Sequence, residues 1–462
     1  MNSASDHSDH QAFPPETTGK NKLFQPSQWF FSSKVFSSVL LLFTSLSAVY
    51  WANSFLAETY QHFFHTELSV FLGKYRISHS LVHWINDGLM TLFFFTVGLE
   101  IKREILVGEL ASVKKAMFPV IAALGGMVVP AAIYLAFTWG TPAARGWGVP
   151  MATDIAFSLG AIALFGKRLP TGLRVFLAAF AIADDLGAVL VIAIFYTQDI
   201  SWYYIIAGGH MILGLGLANF LGIRWLPVYL VLGFGTWVAA MGSGVHPTIA
   251  GVIVALLIPA QGKYNTRRFV NRVRSIVNNF DCSAAQPCDH KHAILLNPDQ
   301  LNAVHSLELA CHNAETPLQR LEHALHPWVA YAILPLFAFA NAGLTFHGMT
   351  VSGAAAHPVT LGIVLGLFIG KPVGVTAFSF AAVRSGLAAL PEGVRWPHIL
   401  GAAMLGGIGF TMSLFISGLA FTTDDMLNYS KLGTLAGSVV SIIAGIAFLS
   451  VYNARQKKTQ GR

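Results

Sequence analysis

Charged residues are scarce in this sequence. Lys, Arg, Asp and Glu together make up 11% of its 462 residues, whereas about 25% is usual for a soluble domain. Apolar residues account for 54% of the chain, and the mean hydropathy is +0.58. This composition excludes an ordinary soluble domain and indicates a membrane protein.

Long apolar runs fill most of the chain. A run of roughly 20 apolar residues crosses the hydrocarbon core of a bilayer as a helix, and about twelve such runs occur here. The runs are continuous rather than alternating, so they exclude a membrane β-barrel and predict an all-α polytopic membrane protein. The predicted spans are residues 35–57, 81–101, 117–139, 149–165, 173–196, 203–222, 225–240, 247–260, 328–345, 358–382, 399–421 and 432–452.

The basic residues predict the orientation. Most of the 29 Lys and Arg flank the spans on one side, so the positive-inside rule predicts that both termini are cytoplasmic. The net charge of +7 follows from this bias and indicates no nucleic-acid partner. The first run is longer than a signal-peptide core and has no small-residue cleavage site, so we expect it to be retained. The predicted regions are a polar N-terminal extension (1–33), spans 1–8 (34–260), a long cytoplasmic loop (261–327), spans 9–12 (328–453) and a basic tail (454–462).

Cysteine is also rare, and the long loop contains all of it. Disulfides are not expected in the cytoplasm. The spacing of the Cys and His residues matches no zinc motif, so we favour a surface loop over a metal site. Within the loop, 297–325 predicts an amphipathic helix that starts at Asn297 and Pro298. The Cys and His residues concerned are Cys282, Cys288, Cys311, His290, His292, His305 and His312.

The candidate charges inside the predicted spans are Asp154, Asp184, Asp185 and Lys371. Each costs roughly 2.5–3.5 kcal/mol at the centre of a membrane helix. A purely structural pair between Lys371 and one aspartate would leave two aspartates unexplained. Because adjacent residues on a helix point about 100° apart, Asp184 and Asp185 cannot both face one ion. One can bind a cation while the other faces another partner, and Lys371 is the cation available within the spans.

Two predicted spans are poorly built as helices. The fourth carries Pro150 near its start and the polar pair Thr153 and Asp154, and the eleventh contains the stretch GGIGFTMS. Glycine costs about 1 kcal/mol in a helix interior, so we expect both spans to be interrupted. They are the middle members of the triplets 3–5 and 10–12, which is the pattern of inverted-topology repeats in secondary transporters. The alternative is that the glycines only allow close helix packing.

Several long stretches resemble the NhaA-type bacterial sodium/proton antiporters, a family that also exemplifies inverted repeats with broken helices. The resemblance covers about residues 35–455. The matching stretches are WINDGLMTLFFFTVGLEIKREILVGEL (84–110), PMATDIAFSLGAIALFGKRLP (150–170), FAIADDLGAVLVIAIFYT (180–197), LEHALHPWVAYAILPLFAFANAG (321–343), FIGKPVGV (368–375) and GGIGFTMSLFISGLAF (406–421).

This resemblance implies specific roles. Asp185 matches the family's principal cation-binding aspartate, and Asp184 matches the partner carboxylate that pairs with a lysine, here Lys371. Thr153 and Asp154 match the unwound part of the fourth helix, where Asp154 compensates the positive ends of half-helices. The family implies electrogenic, pH-regulated exchange of Na⁺, and also Li⁺, for protons without a cofactor, by a homodimer in the bacterial inner membrane.

A second group of titratable residues lies at the predicted cytoplasmic helix ends. Histidine changes charge near neutral pH, and the matching family positions are associated with pH-dependent activation. The alternative is that these charges only set topology. The group comprises Glu100, Glu104, Glu322, His323 and His326.

Three other residues or segments have simpler interpretations. Asp87 is predicted to be a helix cap and His246 a hydrogen-bonded structural residue. Residues 65–79 alternate polar and apolar side chains like a small periplasmic hairpin, whose edge could pair with a second subunit.

The sequence also allows two other functions. A transporter or channel of the same architecture could carry another cation or solute. An intramembrane aspartic protease also uses two membrane aspartates, but it would need them on separate helices in Tyr-Asp and Gly-x-Gly-Asp contexts, which this chain lacks.

Overall fold

The structure is a computed structural model that describes residues 34–72, 75–197, 200–262, 264, 266–280, 298–346 and 350–460. This part of the chain is helical apart from one two-stranded sheet and the connecting loops. The predicted all-α membrane fold with one short hairpin is therefore confirmed. The predicted extension 1–33 and the residues Cys282, Cys288, His290 and His292 lie outside the described residues.

Seventeen helices are numbered here in chain order, and three of them contain a π-helical turn. The first nine are α1 (Lys34–Ala52), α2 (Ala57–His65), α3 (Leu81–His83, π-helical Trp84–Leu89 and Met90–Val107), α4 (Val113–Thr138), α5 (Ile155–Ala163), α6 (Thr171–Phe195), α7 (Trp202–Phe220), α8 (Leu226–Ser243) and α9 (Pro247–Leu257). The others are α10 (Thr266–Phe280), α11 (Pro298–Ala314), α12 (Pro317–Trp328, π-helical Val329–Ile333 and Leu334–Asn341), α13 (Val351–Ala356), α14 (Pro358–Leu365, π-helical Gly366–Gly370 and Lys371–Arg384), α15 (Trp396–Gly406), α16 (Phe410–Ala420) and α17 (Asp424–Gln460).

All twelve predicted apolar runs contain helix, but they are not equally long. Eight helices of the described part are long and apolar enough to cross a membrane, and α15 with α16 makes a ninth span that bends by 46°. The second predicted span is α3, which extends to Val107. The eighth is α9, whose 11 residues cover only about 16 Å. Gly244 in the left-handed conformation ends α8 and Pro247 starts α9, which confines the helical part of this apolar run.

The fourth predicted span is the least regular. It consists of a 3₁₀ helix, Pro142–Met151, an extended break at 152–154 and the nine-residue helix α5. The eleventh breaks between Gly406 and Phe410. Both predicted interruptions are therefore present, and both fall in the middle element of a triplet.

The described part of the long loop contains more helix than predicted, and the helix boundaries differ. The prediction of one helix over 297–325 is wrong, because α11 ends at Ala314 and α12 begins at Pro317. Thr316 and Gln319 form a capping box that starts α12. The helix of the ninth predicted span (328–345) therefore begins well before residue 328. The segment before α11 contributes α10, which was not predicted.

The C-terminal helix is also longer than predicted. Instead of ending at residue 453, α17 continues through most of the predicted basic tail to Gln460. Lys and Arg favour helix nearly as well as Ala does, and they stabilise a helix C-terminus through its dipole. A change from apolar to basic composition therefore did not mark the helix end.

Close packing of α4 against α14 positions the centre of the protein. A Cβ atom on Gly125 would lie 2.3 Å from the Gly374 carbonyl oxygen, and one on Gly374 would lie 2.1 Å from the Gly125 carbonyl oxygen. Only glycine allows the two backbones to approach this closely. The next residue, Gly126, lies beside the lysine chain, since a Cβ atom on it would be in ordinary contact with the Lys371 Cδ atom at 3.5 Å.

The small sheet is the antiparallel pair of β1 (Glu67–Leu72) and β2 (Tyr75–Ser80). Its register pairs Glu67 with Ser80 and Leu72 with Tyr75. The Trp84 indole donates a hydrogen bond of 3.0 Å to the Leu68 carbonyl oxygen, which fastens the hairpin to α3.

Candidate functional site

The two interrupted helices meet at Asp154. This residue is the N-cap of α5, and its Oδ1 accepts a hydrogen bond of 3.0 Å from the Phe157 amide. Its Oδ2 accepts from the Thr411 amide at 3.1 Å and from the Thr411 hydroxyl, at the start of α16. One carboxylate therefore serves the N-terminal ends of two half-helices, where backbone amides have no intrahelical acceptor.

The two breaks also satisfy each other's open carbonyl groups. The Thr153 hydroxyl donates to the Gly406 carbonyl at 2.8 Å, and the Ser158 hydroxyl donates to the Leu405 carbonyl at 2.8 Å. In the other direction, the Ser413 hydroxyl donates to the Val149 carbonyl at 2.7 Å. Backbone that leaves the helical pattern at membrane depth requires such partners, because hydrocarbon offers none.

Beside this crossing, Lys371 and Asp184 form a fully buried ion pair. The Lys371 Nζ donates to the Asp184 Oδ2 at 2.7 Å, and both side chains have zero exposure. The ammonium also lies 5.5 Å from the centroid of the Phe180 ring. Phe180 and Asp184 are four residues apart on α6 and share a face, so α14 contacts α6 through one charge and one aromatic ring.

Asp185 differs from its neighbour. It is fully buried, and neither of its carboxylate oxygens has a hydrogen-bond partner among the described residues. In Asp184, Oδ2 is paired and Oδ1 lacks a partner. Buried polar atoms without partners are uncommon in folded proteins, and each one calls for an explanation.

This donor set suits a hard cation and a proton. Carboxylate, hydroxyl and carbonyl oxygens are the ligands that hard cations such as Ca²⁺ and Mg²⁺ prefer, and Na⁺ has the same character. A carboxylate can also bind a proton, which removes its charge. The arrangement therefore offers one anionic site to two cationic ligands that compete for it.

A cavity of about 520 Å³ reaches this region from the predicted cytoplasmic helix ends. Asp154 and Thr411 line its inner end, and Ala178 and Ile182 form its wall on α6. Asp185 lies on the same face of α6, at the spacing i, i+4, i+7 from Ala178 and Ile182. Asp185 itself is fully buried and does not line the cavity, but it lies on the α6 face that the cavity borders.

The second predicted group surrounds the outer part of the same cavity. All five of its members line the cavity, and so does Arg103. The Arg103 guanidinium pairs with the buried Glu322 and lies 3.4 Å from the Glu104 Oε1. The members are Glu100, Glu104, Glu322, His323 and His326.

One further contact connects α3 and α12 in this group: the His326 Nδ1 lies 3.9 Å from the Glu100 Oε1. The Glu104 Oε2 accepts from the Glu109 amide at 3.0 Å, in the loop that follows α3. Sequence reasoning assigned Arg103 only to topology and did not assign Thr411 or Ser413 to the site. A basic residue between two acids, in EIKRE, and hydroxyl residues inside a glycine-rich break were the signals for them.

Of the two predictions made for Asp87 and His246, the structure contradicts the first and agrees with the second. The prediction that Asp87 caps a helix is wrong, because Ser80 caps α3 and Asp87 lies inside its π-helical turn. The Asp87 carboxylate instead contacts the His83 Nε2 at 3.0 Å and the His246 Nε2 at 3.6 Å. His246 is structural as predicted, since its side chain caps α9 and contacts the Thr248 hydroxyl at 2.8 Å.

Comparison with known proteins decides the family. The sequence model of the family described as Na⁺/H⁺ antiporter 1 matches residues 28–449. The chain belongs to this family. Curated members are similar over nearly their whole length: Na(+)/H(+) antiporter NhaA 1 of Saccharophagus degradans is 48% identical over 93% of this chain and 92% of its own, and Na(+)/H(+) antiporter NhaA of Koribacter versatilis is 44% identical over 97% and 95%. Na(+)/H(+) antiporter NhaA of Wolinella succinogenes is 45% identical over 93% of this chain and 94% of its own.

The buried ion pair of this family member generates a stability prediction. Replacing Lys371 by Ala leaves Asp184 charged and unpaired in a low-dielectric site, so we expect a loss of about 3–5 kcal/mol. Asp184→Asn in the same background removes the orphaned charge and should restore much of that loss. Thermal unfolding of the purified protein in detergent measures both effects, with the exposed Lys114→Ala as control. A double variant no more stable than Lys371→Ala would contradict the pairing.

Proposed function

We propose that this protein is a sodium/proton antiporter of the bacterial inner membrane that extrudes Na⁺ in exchange for external protons. The family match and the names of the relatives support this exchange reaction. The bias of Lys and Arg supports an orientation with both termini in the cytoplasm. On this proposal the protein is a secondary transporter and not an enzyme.

The observation that carries the proposal is the contrast between the two adjacent aspartates. Asp184 is held by Lys371 at 2.7 Å, whereas the buried Asp185 carboxylate has no hydrogen-bond partner among the described residues. In the proposed cycle, deprotonated Asp185 binds Na⁺ that enters through the cytoplasmic cavity. Protons from the other side then displace the ion, and the neutralised site returns.

The crossing of α5 and α15–α16 supports the proposed movement. It is held by hydrogen bonds between short half-helices, with Asp154 bonded to both N-terminal ends. Such elements can shift as a unit around a midplane site, as in other transporters with interrupted helices. We assign Asp154 to compensation of the half-helix dipoles, and Thr153 to the support of the break.

The site also supports two finer statements. Li⁺ is a hard monovalent cation like Na⁺ and finds the same oxygen ligands, so we propose that it is carried too.

Two adjacent carboxylates can release more protons than the number of Na⁺ ions they bind, so we propose electrogenic exchange. In proteoliposomes, a potassium diffusion potential should then change the exchange rate, and a rate independent of the potential would contradict this.

The alternatives have less support. A transporter of the same architecture for another cation is distinguished by substituting K⁺ for Na⁺ in the exchange assay. An intramembrane protease would require its two aspartates to face one peptide, whereas here Asp184 is engaged by Lys371 and Asp154 by two helix ends.

Neutralising Asp185 is the decisive test. Asp185→Asn keeps the size of the side chain but removes both the exchangeable proton and the charge that offsets dehydration of Na⁺, so sodium-dependent exchange should be abolished. Asp184→Asn should also be severe. Asp154→Asn should cost less, because its amide oxygen still accepts from a half-helix end. The measurement is sodium-dependent dequenching of a pH-sensitive dye in everted vesicles at matched expression. Near-normal exchange by Asp185→Asn would disprove the site.

We further propose that the group at the outer cavity adjusts exchange to pH. It brings Glu100, Arg103 and Glu104 of α3 against the acid and the two histidines of α12. A change in charge here alters the attraction between two helices that flank the route to Asp185. Histidine is the side chain that titrates near neutral pH.

Removing one buried partner should shift the pH profile. Glu322→Gln leaves Arg103 without its buried acid, and we expect the pH dependence of exchange to move while the maximal rate is retained. The control is Glu308→Gln. The Glu308 Oε2 lies 3.6 Å from the His305 Nδ1, and the side chains of His305 and Glu308 are 65% and 77% exposed. Vesicle assays across pH 6–9 compare the two. Identical profiles for wild type and Glu322→Gln would leave these charges only a topological role.

We propose a homodimer joined through the hairpin. In the described sheet each strand has one neighbour, and the other edge of a strand is a ready template for pairing with another chain. Deleting residues 66–78 should therefore weaken the dimer while sodium-dependent exchange stays measurable. Cross-linking in membranes measures the dimer, and an undiminished dimer would contradict the proposal.

A further inference from the structure

Helix α10 is unusual among the extramembrane segments for its charge. It contains Arg267, Arg268, Arg272 and Arg274 and no acidic residue. It also contains a regular set of apolar residues, so it is strongly amphipathic. Basic amphipathic helices of this kind bind to membrane surfaces or to partners with an acidic groove.

One face of α10 is already used within the protein. Ile276 is buried and packs with Phe269 against α11, where Ala303 and Ala310 are also buried. The backbone secures the pair, because the Tyr264 amide donates to the Asn313 carbonyl at 3.0 Å. These contacts fix which residues of α10 point away from the protein.

A second apolar strip lies outside this contact. Val270 and Val277 are 45% and 49% exposed, and seven residues bring them to nearly the same side of the helix. Arg267 and Arg274 precede them by three residues each and are exposed as well, so each arginine is the helical neighbour of one valine. Exposed valines flanked by arginines match the surface of a helix that lies at the boundary between headgroups and acyl chains.

The chain keeps this strip close to the bilayer. Helix α9 ends at Leu257 within the apolar part of the protein, and α10 begins at Thr266. The connecting residues 258–265 can span at most about 30 Å. A helix tethered over so short a distance experiences a high effective concentration of lipid.

We propose that α10 lies on the cytoplasmic leaflet and binds anionic phospholipids. Arg267 and Arg274 contact the phosphate headgroups, and Val270 and Val277 insert between the headgroups. The proposal rests on the orientation given under the proposed function, which places this loop in the cytoplasm. A nucleic acid would use the arginines alone, so the paired valines favour a lipid surface or a protein groove. The tether to α9, about 30 Å at most, favours the lipid surface over a protein groove, because it keeps the helix beside the bilayer.

Fluorescence quenching in lipid nanodiscs can test this with the full-length protein. Cys282, Cys288 and Cys311 are first replaced by Ser. A single bimane label is then attached through Val277→Cys, on the proposed lipid side, or through Ser275→Cys, on a different side of α10. Doxyl-labelled lipid quenches a label that lies in the bilayer, and iodide quenches a label that lies in water.

In nanodiscs containing phosphatidylglycerol, the label at 277 should be quenched by doxyl lipid and protected from iodide, and the label at 275 should show the reverse. Each arginine near an anionic surface contributes about fivefold to binding. Arg267→Gln with Arg274→Gln should therefore lower the ratio of bound to unbound α10 by about twenty-fivefold. Lys114→Gln with Lys115→Gln removes the same charge from another exposed, predicted cytoplasmic site and should leave that ratio unchanged.

Three results would overturn the proposal. The label at 277 could be as open to iodide as the label at 275, which would place α10 in water. It could be shielded from both quenchers, which would indicate a protein contact. The ratio could also be insensitive to the two arginines. Sodium-dependent exchange in proteoliposomes of the same protein tests the proposed function separately, so failure of one is distinguishable from failure of the other.

Discussion

The contact between the two interrupted helices is the interaction on which the rest of the structure depends. A helix that breaks inside hydrocarbon exposes amides and carbonyls that lipid cannot satisfy. Here each break supplies the partners of the other: Asp154 accepts from Thr411, Thr153 donates to Gly406, and Ser413 donates to Val149. Neither break would be stable alone, so the two segments form one unit.

The charges beside the crossing are arranged unequally, and the inequality has a physical cause. Lys371 can reach one of two adjacent carboxylates well, because neighbouring side chains on α6 diverge by about 100°. Phe180, on the same face of α6 as Asp184, provides an aromatic face for its ammonium. The pair with Asp184 thereby engages the Lys371 ammonium, and the Asp185 carboxylate has no hydrogen-bond partner among the described residues, which is why we propose it as the seat of the exchanged ions.

The helices of the apolar runs could be predicted from the sequence, because backbone groups without hydrogen bonds are costly in hydrocarbon. The burial of Asp154, Asp184, Asp185 and Lys371 could be predicted as well, because a charge exposed to lipid is costly. Every long apolar run contains helix, and each of these four charges is buried in the protein. Glycine and proline also marked both breaks. The helix ends were harder to predict. The capping box at Thr316 and the continuation of α17 to Gln460 depend on polar residues that fit both helix and loop.

Contacts between distant residues could not be predicted in the same way. Arg103 is one of several basic residues near a helix end, and its pairing with Glu322 results from the packing of α3 against α12. Asp87 had the position of a cap, yet it lies inside a π-helical turn and His246, at the start of α9, lies against it. Such contacts depend on the relative placement of helices, on which local sequence patterns carry little information.

The π-helical turn at Gly366–Gly370 matters for how members of this family can gain or lose residues. A π turn holds one residue more than an α turn, and one residue corresponds to about 100° of rotation. Lys371 follows this turn directly. A single-residue deletion between 366 and 370 would therefore convert the π turn into an α turn and leave Lys371 facing nearly the same way relative to the first half of the helix. The same deletion within the α-helical part Pro358–Leu365 would rotate Lys371 by about 100° away from Asp184, so a one-residue gap has a different meaning at these two places.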